Sequence, residues 1–179
     1  MTIRTAHLGD EDGIAEVHLN SWHTTYTGLI PQEFLDVISV DNRRSFWKQR
    51  IEQMAQGDGG RAILVAENDE GRIVGFVDGG KERDGHPDFD SELYAIYLER
   101  QAQGKGLGSN LTSELAKRLR AHGFKRMLVW VLDNNPSRRF YEKIGGTLLA
   151  DSKLVEFSGK QCVEVAYGFY VSDLGGTCS

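Results

Sequence analysis

The segment Gln103-Gly104-Lys105-Gly106-Leu107-Gly108 has the residue types and spacing of an anion site. Its glycines alternate where the apolar run Leu93-Tyr94-Ala95-Ile96-Tyr97-Leu98 gives way to a leucine-striped stretch. Glycine lets a backbone curl tightly and lets a ligand approach without meeting a Cβ. The N–H groups of Gly104, Gly106, Gly108 and their neighbours can then face one concavity, where the head of a helix adds positive potential. Such a cradle suits a pyrophosphate. A P-loop does not fit, because Lys105 falls among the glycines rather than after them. A dinucleotide-binding turn needs glycine where Ser109 stands, although Asp133 does end the following apolar run, as that motif requires. The pyrophosphate of coenzyme A is the third occupant to weigh. A turn that merely tightens a connection is the plainest alternative.

A second segment, Asn134-Asn135-Pro136-Ser137-Arg138-Arg139-Phe140-Tyr141-Glu142-Lys143-Ile144-Gly145, follows the next apolar run. Together, Gln103-x-x-Gly106-x-Gly108 and this Asn-to-Gly stretch resemble the paired motifs of the GCN5-related N-acetyltransferases (GNAT), in order and spacing. The resemblance extends over about residues 3–171 and implies a single N-acetyltransferase domain, taken as 1–179. It implies acetyl-CoA as co-substrate, with no metal. Backbone groups of Ile96 and Leu98 would bond the pantetheine arm like an added strand. The turn Gln103, Gly104, Lys105, Gly106, Leu107, Gly108 and Ser109 would take the pyrophosphate. Asn135 and Ser137 would hold the cofactor arm, and Tyr141 would protonate the departing thiolate. Arg138 departs from the small residue common at its position, and reaches either a CoA phosphate or solvent.

The chemistry constrains the remaining roles. An alkyl ammonium with a pKa of about 10.4 must lose a proton before it can attack. A CoA thiolate near 8.5 can take a proton from a tyrosine near 10, which suits Tyr141 by type. Glu92 is the candidate base, because it begins the strand leading to the glycine turn and alternates with Tyr94 and Ile96. Trp22 and Tyr26, with Tyr94, are expected to line the acceptor pocket, with His23 nearby. Trp22 suits core packing equally well. His18 and His23 are off a common helix face, so they do not make a metal pair. The acidic stretch Asp84, Asp88, Asp90 and Glu92 reads as a solvated loop, with attraction of a cationic amine as the alternative. The basic run around Gly123 reads as a solvated helix end, with a contact to the CoA 3′-phosphate as the alternative.

These residues need elements to position them. Residues 3–6 read as an edge strand. Asp10 reads as the N-cap of a helix bearing Ile14, Val17, His18 and Trp22. Pro31 opens a short helix, and Asp41 caps a third with Phe46, Trp47, Ile51 and Met54. Ala62–Ala66 and Ile73–Val77 flank the turn Asn68-Asp69-Glu70-Gly71 as a hairpin. Leu93–Leu98 is a third strand, and a helix over about 106–122 carries Leu107, Leu111, Leu115 and Leu119. Met127–Leu132 reads as a strand buried on both faces. A helix over 136–144 and strands over about 147–157 and 161–171 complete the chain. The expected fold is α/β: a GNAT-like mixed central β-sheet, mostly antiparallel but parallel at the cofactor cleft, flanked by helices.

Composition narrows the partners. The chain has 179 residues, 40% hydrophobic and 26% charged, enough for one packed core. A net charge of -5 disfavours a nucleic-acid binder and suits a cationic substrate. No apolar run reaches the roughly 18 residues of a membrane span. Cys162 and Cys178 have no metal-type spacing, which together with the polar start of the chain points to a cytoplasmic protein. The acceptor class is the amine of a small molecule or peptide, and a homodimer is common in similar proteins. A non-catalytic acyl-CoA sensor and a nucleotide-dependent oxidoreductase are the rival functions.

Overall fold

The computed structural model describes residues 1–57 and 60–175, so Cys178 lies outside the described residues. The chain runs β1 (Thr2–Thr5), α1 (Glu11–Tyr26), α2 (Gln32–Asp36), α3 (Val40–Ala55), β2 (Ala62–Glu67) and β3 (Ile73–Lys81). It continues β4 (Ser91–Leu98), α4 (Leu107–Ala121), β5 (Arg126–Leu132), α5 (Arg138–Lys143), β6 (Thr147–Phe157) and β7 (Lys160–Tyr170). The strands make one seven-stranded sheet in the order β1-β2-β3-β4-β5-β7-β6. Every neighbouring pair is antiparallel except β4–β5, which α4 links as a parallel crossover. This is the mixed sheet that the sequence implies.

Both faces of the sheet are covered, and the side-chain alternation shows it. In β2, Leu64 and Ala66 face the core under α4, while Ile63 and Val65 face the core under α1 and α3. Leu107, Leu111, Leu115 and Leu119 form the buried stripe of α4, as their spacing predicts. Each such leucine contributes about 1.5–3 kcal/mol by leaving water. On the other face Ile14, Trp47, Ile51 and Phe76 pack together. A third cluster at the end of β5 gathers Leu35 and Leu132 with Trp22, Phe34 and Phe157.

Two helix starts differ from expectation. Asp10 stands at the N-cap of α1 but makes no side-chain cap bond. Its carboxylate is taken instead by the Arg4 guanidinium at 2.6 and 2.8 Å and by the His7 N–H at 2.8 Å. A bidentate ion pair outcompetes a single hydrogen bond to a backbone N–H. The cap of α3 is Ser39, whose Oγ accepts from Asn42 N–H at 3.2 Å, while Asp41 lies in the first turn beside Arg44 at 2.8 Å.

Candidate active site

The parallel pairing of β4 with β5 is short. It registers Ser91 with Met127 and Glu92 with Leu128 and goes no further, whereas β4 pairs with β3 up to Leu98 and β5 with β7 up to Leu132. The two strands therefore splay apart into a wedge. Glu99 N–H donates to Val74 O on β3 at 2.9 Å. Because successive peptide groups of a strand alternate in direction, those of Ile96 and Leu98 face the wedge. The Leu98 carbonyl already accepts from Gln103 Nε2 at 3.0 Å and Ser21 Oγ at 3.4 Å. Both peptide groups of Ile96 and the N–H of Leu98 are left for a ligand.

A bulge in β4 shapes the wedge further. Asp78 is opposite Ala95 while Gly79 is opposite Leu93, so Tyr94 is the extra residue. The expected alternation of Glu92, Tyr94 and Ile96 on one face is corrected by this bulge. Leu93, Ile96 and Leu98 pack towards α4, and Ala95 and Tyr97 pack towards α1 and α3.

The glycine turn closes one end of the wedge. Gly104 and Gly106 hold φ angles of 74° and 79°, which disfavour any residue with a side chain. Gly106 is the N-cap of α4, so the N–H groups of the first turn, from Leu107 on, have no helical partner and point into the concavity. Gly108 serves differently. A Cβ there would lie 3.0 Å from Phe140 Cε2, so its smallness lets α5 approach α4. The side chain of Leu107 belongs to the core and that of Lys105 to the surface, and neither residue lines the cavity.

The wedge opens into a cavity of about 480 Å³, within the roughly 300–1,000 Å³ range of small-molecule sites. Among the expected residues, Trp22, Tyr26, Tyr94, Ile96, Leu98, Gln103, Gly104, Gly106, Gly108, Ser109, Asn135, Ser137 and Tyr141 line it. The sequence singled out neither Trp130, Phe157 nor Glu164, which also line it. Asn135 is buried, and its Oδ1 accepts from Ser137 N–H at 2.8 Å, fixing the turn from β5 into α5. Tyr141 is buried on the wall, and burial followed by the nearby Tyr26 pushes its pKa above the ordinary value for tyrosine. Tyr26 and Tyr97 hydroxyls lie 3.3 Å apart. The Tyr94 ring sits between the Arg61 and Arg83 guanidinium groups, at 5.0 and 4.5 Å, and its hydroxyl donates to Lys81 O. Burial pushes the Tyr94 hydroxyl up to about 12, so it stays protonated as a wall.

Glu92 is placed elsewhere than expected. Its side chain is buried, is not among the cavity-lining groups, and is held by two Arg83 nitrogens, Nε at 2.9 Å. Nor does His23 line the cavity. Arg138 does not line the cavity; it donates to Asp133 O at 2.8 Å and to Tyr167 OH at 3.1 Å. Among the described residues no three His, Cys, Asp or Glu side chains gather as metal ligands, and no helix is long and apolar enough to cross a membrane.

The model of the FR47-like protein family matches residues 85–155, the span from the loop before β4 into β6. An uncharacterized N-acetyltransferase of Bacillus subtilis, YuaI, is 35% identical over 169 residues, which are 94% of this chain and 92% of that protein. The chain belongs to the GCN5-related N-acetyltransferase family. It is an acyltransferase of the N-acetyltransferase class. A further relative, the L-methionine sulfoximine/L-methionine sulfone acetyltransferase of Pseudomonas aeruginosa, is 27% identical over 134 residues, 75% of this chain and 72% of that one. The PaiA N-acetyltransferase of Thermoplasma acidophilum, solved with coenzyme A, shares the GNAT fold with a TM-score of 0.73 at 21% identity, covering 92% of this chain and 96% of that one.

Proposed function

We propose that this protein transfers the acetyl group of acetyl-CoA to the primary amine of a small molecule by direct attack in a ternary complex. The wedge between β4 and β5 is the observation that carries this reading, because it joins an anion cradle to a buried tyrosine within one cavity. The pantetheine arm would add to β4 through the Ile96 peptide and the Leu98 N–H. The pyrophosphate would take the amides from Gly104 to Ser109, where left-handed glycines leave open space. Asn135 and Ser137 would hold the arm on its α5 side. The coenzyme A bound in the PaiA structure supports coenzyme A as the ligand of this fold.

Tyr141 supplies the leaving-group proton. Burial keeps the hydroxyl protonated throughout the neutral range, so it can donate to the leaving sulfur as the C–S bond breaks, although the raised pKa makes it a weaker acid than an ordinary tyrosine. A tyrosine so placed favours turnover over mere sensing. The relative that acts on L-methionine sulfone and sulfoximine supports a small-molecule acceptor.

The test couples two measurements: thermal unfolding with and without coenzyme A, and thiol release from acetyl-CoA over a panel of primary amines. Coenzyme A at 100 times its Kd should stabilise the fold by about 2.7 kcal/mol, and at least one amine should release thiol in proportion to product. Tight coenzyme A binding with no amine turned over would overturn the catalytic reading. Stabilisation by NAD and not by coenzyme A would overturn the cofactor.

A further inference from the structure

The charge around the acceptor half of the cavity is uneven. Only Lys143 and Glu164 among the lining residues carry charge. Lys143 belongs to α5, on the side of the cofactor motif, whereas Glu164 is on β7, opposite Leu132 of β5 and Lys153 of β6. Around Glu164 the walls are aromatic. Trp22 lies 4.9 Å from Tyr26 and 5.9 Å from Phe34, and Phe34 meets Phe157 edge-on at 5.0 Å. Trp130 completes the wall, with the Lys153 ammonium 4.4 Å above its ring.

The cations near Glu164 are already occupied. Lys153 is 3.8 Å from it, but reaches Asp84 at 3.1 Å and does not line the cavity. Arg83 is bound to Glu92. A second carboxylate brought in by the substrate would therefore face Glu164, while Lys143, the one lining cation, belongs to α5 on the cofactor side. An ammonium would instead find one carboxylate and several ring faces, the surroundings that offset its lost hydration.

We propose that the acceptor is a primary amine with an apolar or aromatic body and no carboxylate beside the amino group, and that Glu164 receives its ammonium and takes its proton. The proposal rests on the acetyltransferase reading above. The ammonium gives one proton to the Glu164 carboxylate, which passes it to solvent. The freed nitrogen lone pair forms the C–N bond to the acetyl carbonyl carbon, and the C–S bond breaks with its electrons leaving on sulfur. Tyr141 protonates that thiolate, and the second proton shed by nitrogen returns to the tyrosinate through solvent.

Glu164 is suited to this role by its surroundings. Burial raises its pKa above the ordinary glutamate value; Lys153 and Arg83 oppose the rise, and Glu92 and Asp84 add to it. The Tyr26 hydroxyl faces it from α1 and titrates far above neutrality. Rate should therefore fall as pH drops through this raised pKa, because only the carboxylate form accepts a proton.

Steady-state thiol release with phenethylamine and with phenylalanine tests the substrate class, and Glu164→Gln, Glu164→Asp and Glu92→Gln test the base. Wild type should favour phenethylamine by about tenfold or more in kcat/KM. Glu164→Gln should lower kcat by about 10²-fold and lose the acid limb of the pH profile, with coenzyme A affinity within about twofold of wild type. Glu164→Asp should keep that limb at a reduced rate. Equal or better use of phenylalanine, or turnover of other amines but not phenethylamine, overturns the acceptor class alone. An unchanged pH profile in Glu164→Gln, or loss of the limb in Glu92→Gln instead, overturns the role of Glu164. No turnover of any amine overturns the acetyltransferase reading, and this inference with it.

Discussion

Glu92 and Glu164 sit on strands either side of β5, and they differ in what their carboxylates can still reach. Spacing alone favours Glu92, which stands at the head of the strand leading to the glycine turn. Whether its charge is free depends on Arg83, a loop residue whose reach no local pattern encodes. Glu164 is the converse, a lone acid in the apolar strand Cys162-Val163-Glu164-Val165-Ala166 that only tertiary folding brings to the cavity. Tyr141 was legible because its motif places it on a short helix directly after a buried strand. Its removal is the sharpest single-residue test. Tyr141→Phe deletes one hydroxyl and keeps the ring against Phe140 and Tyr167, at 5.3 and 6.0 Å. Loss of a general acid costs about 10²–10⁴-fold, so kcat should fall by about 10²-fold while coenzyme A affinity stays within about twofold. Rates equal to wild type would show that solvent, not Tyr141, protonates the thiolate.

At the scale of elements, α4 and the turn before it decide whether a cradle exists. The turn must enter a left-handed conformation at Gly106 before the helix can begin, and the space around a Cβ there is empty. The cost of a substitution at this position is therefore backbone cost alone. Gly106→Ala should destabilise the fold by about 1–2 kcal/mol and weaken coenzyme A binding, because the first-turn amides tilt away. Gly106→Asn should retain more of both, since asparagine tolerates that conformation. Thermal unfolding and coenzyme A titration of the two variants decide it; an alanine as harmless as asparagine would mean the turn does not need its left-handed step. The sequence showed where most helices begin and end, because glycine, proline and leucine spacing are local signals. It did not show which side chain caps them, since Asp10 is captured by Arg4 from a neighbouring strand. The β4 bulge was equally hidden: one extra residue at Tyr94 reverses which face Ile96 occupies, and only the pairing with β3 reveals it.

The whole molecule is tied together on the α1–α3 side of the sheet by a buried histidine, and this makes its stability depend on pH. His18 Nδ1 accepts the Trp47 Nε1 proton at 3.0 Å, joining α1 to α3, and its ring stacks on Tyr97 of β4 at 5.1 Å. The helical spacing placed His18 among Ile14, Val17 and Trp22, so its burial was legible, but not the bond from a helix distant in sequence. Burial, with some help from Arg43, lowers its pKa from 6.5 to about 3. In the folded protein the ring therefore stays neutral where an unfolded chain would bind a proton. The stability this group contributes is complete above about pH 6.5 and is lost as pH falls towards 3, at about 1.4 kcal/mol per pH unit. His18→Asn replaces the titrating acceptor with an amide oxygen that can still receive a hydrogen bond but binds no proton. The variant should be less stable than wild type at pH 7.5, and the gap should narrow by about 2 kcal/mol by pH 5. Urea unfolding of both proteins across that range measures the difference, in which every other titrating group cancels. A gap that stays constant from pH 7.5 to 5 would mean that His18 takes up a proton in the fold, and that the seam between α1, α3 and β4 opens to water.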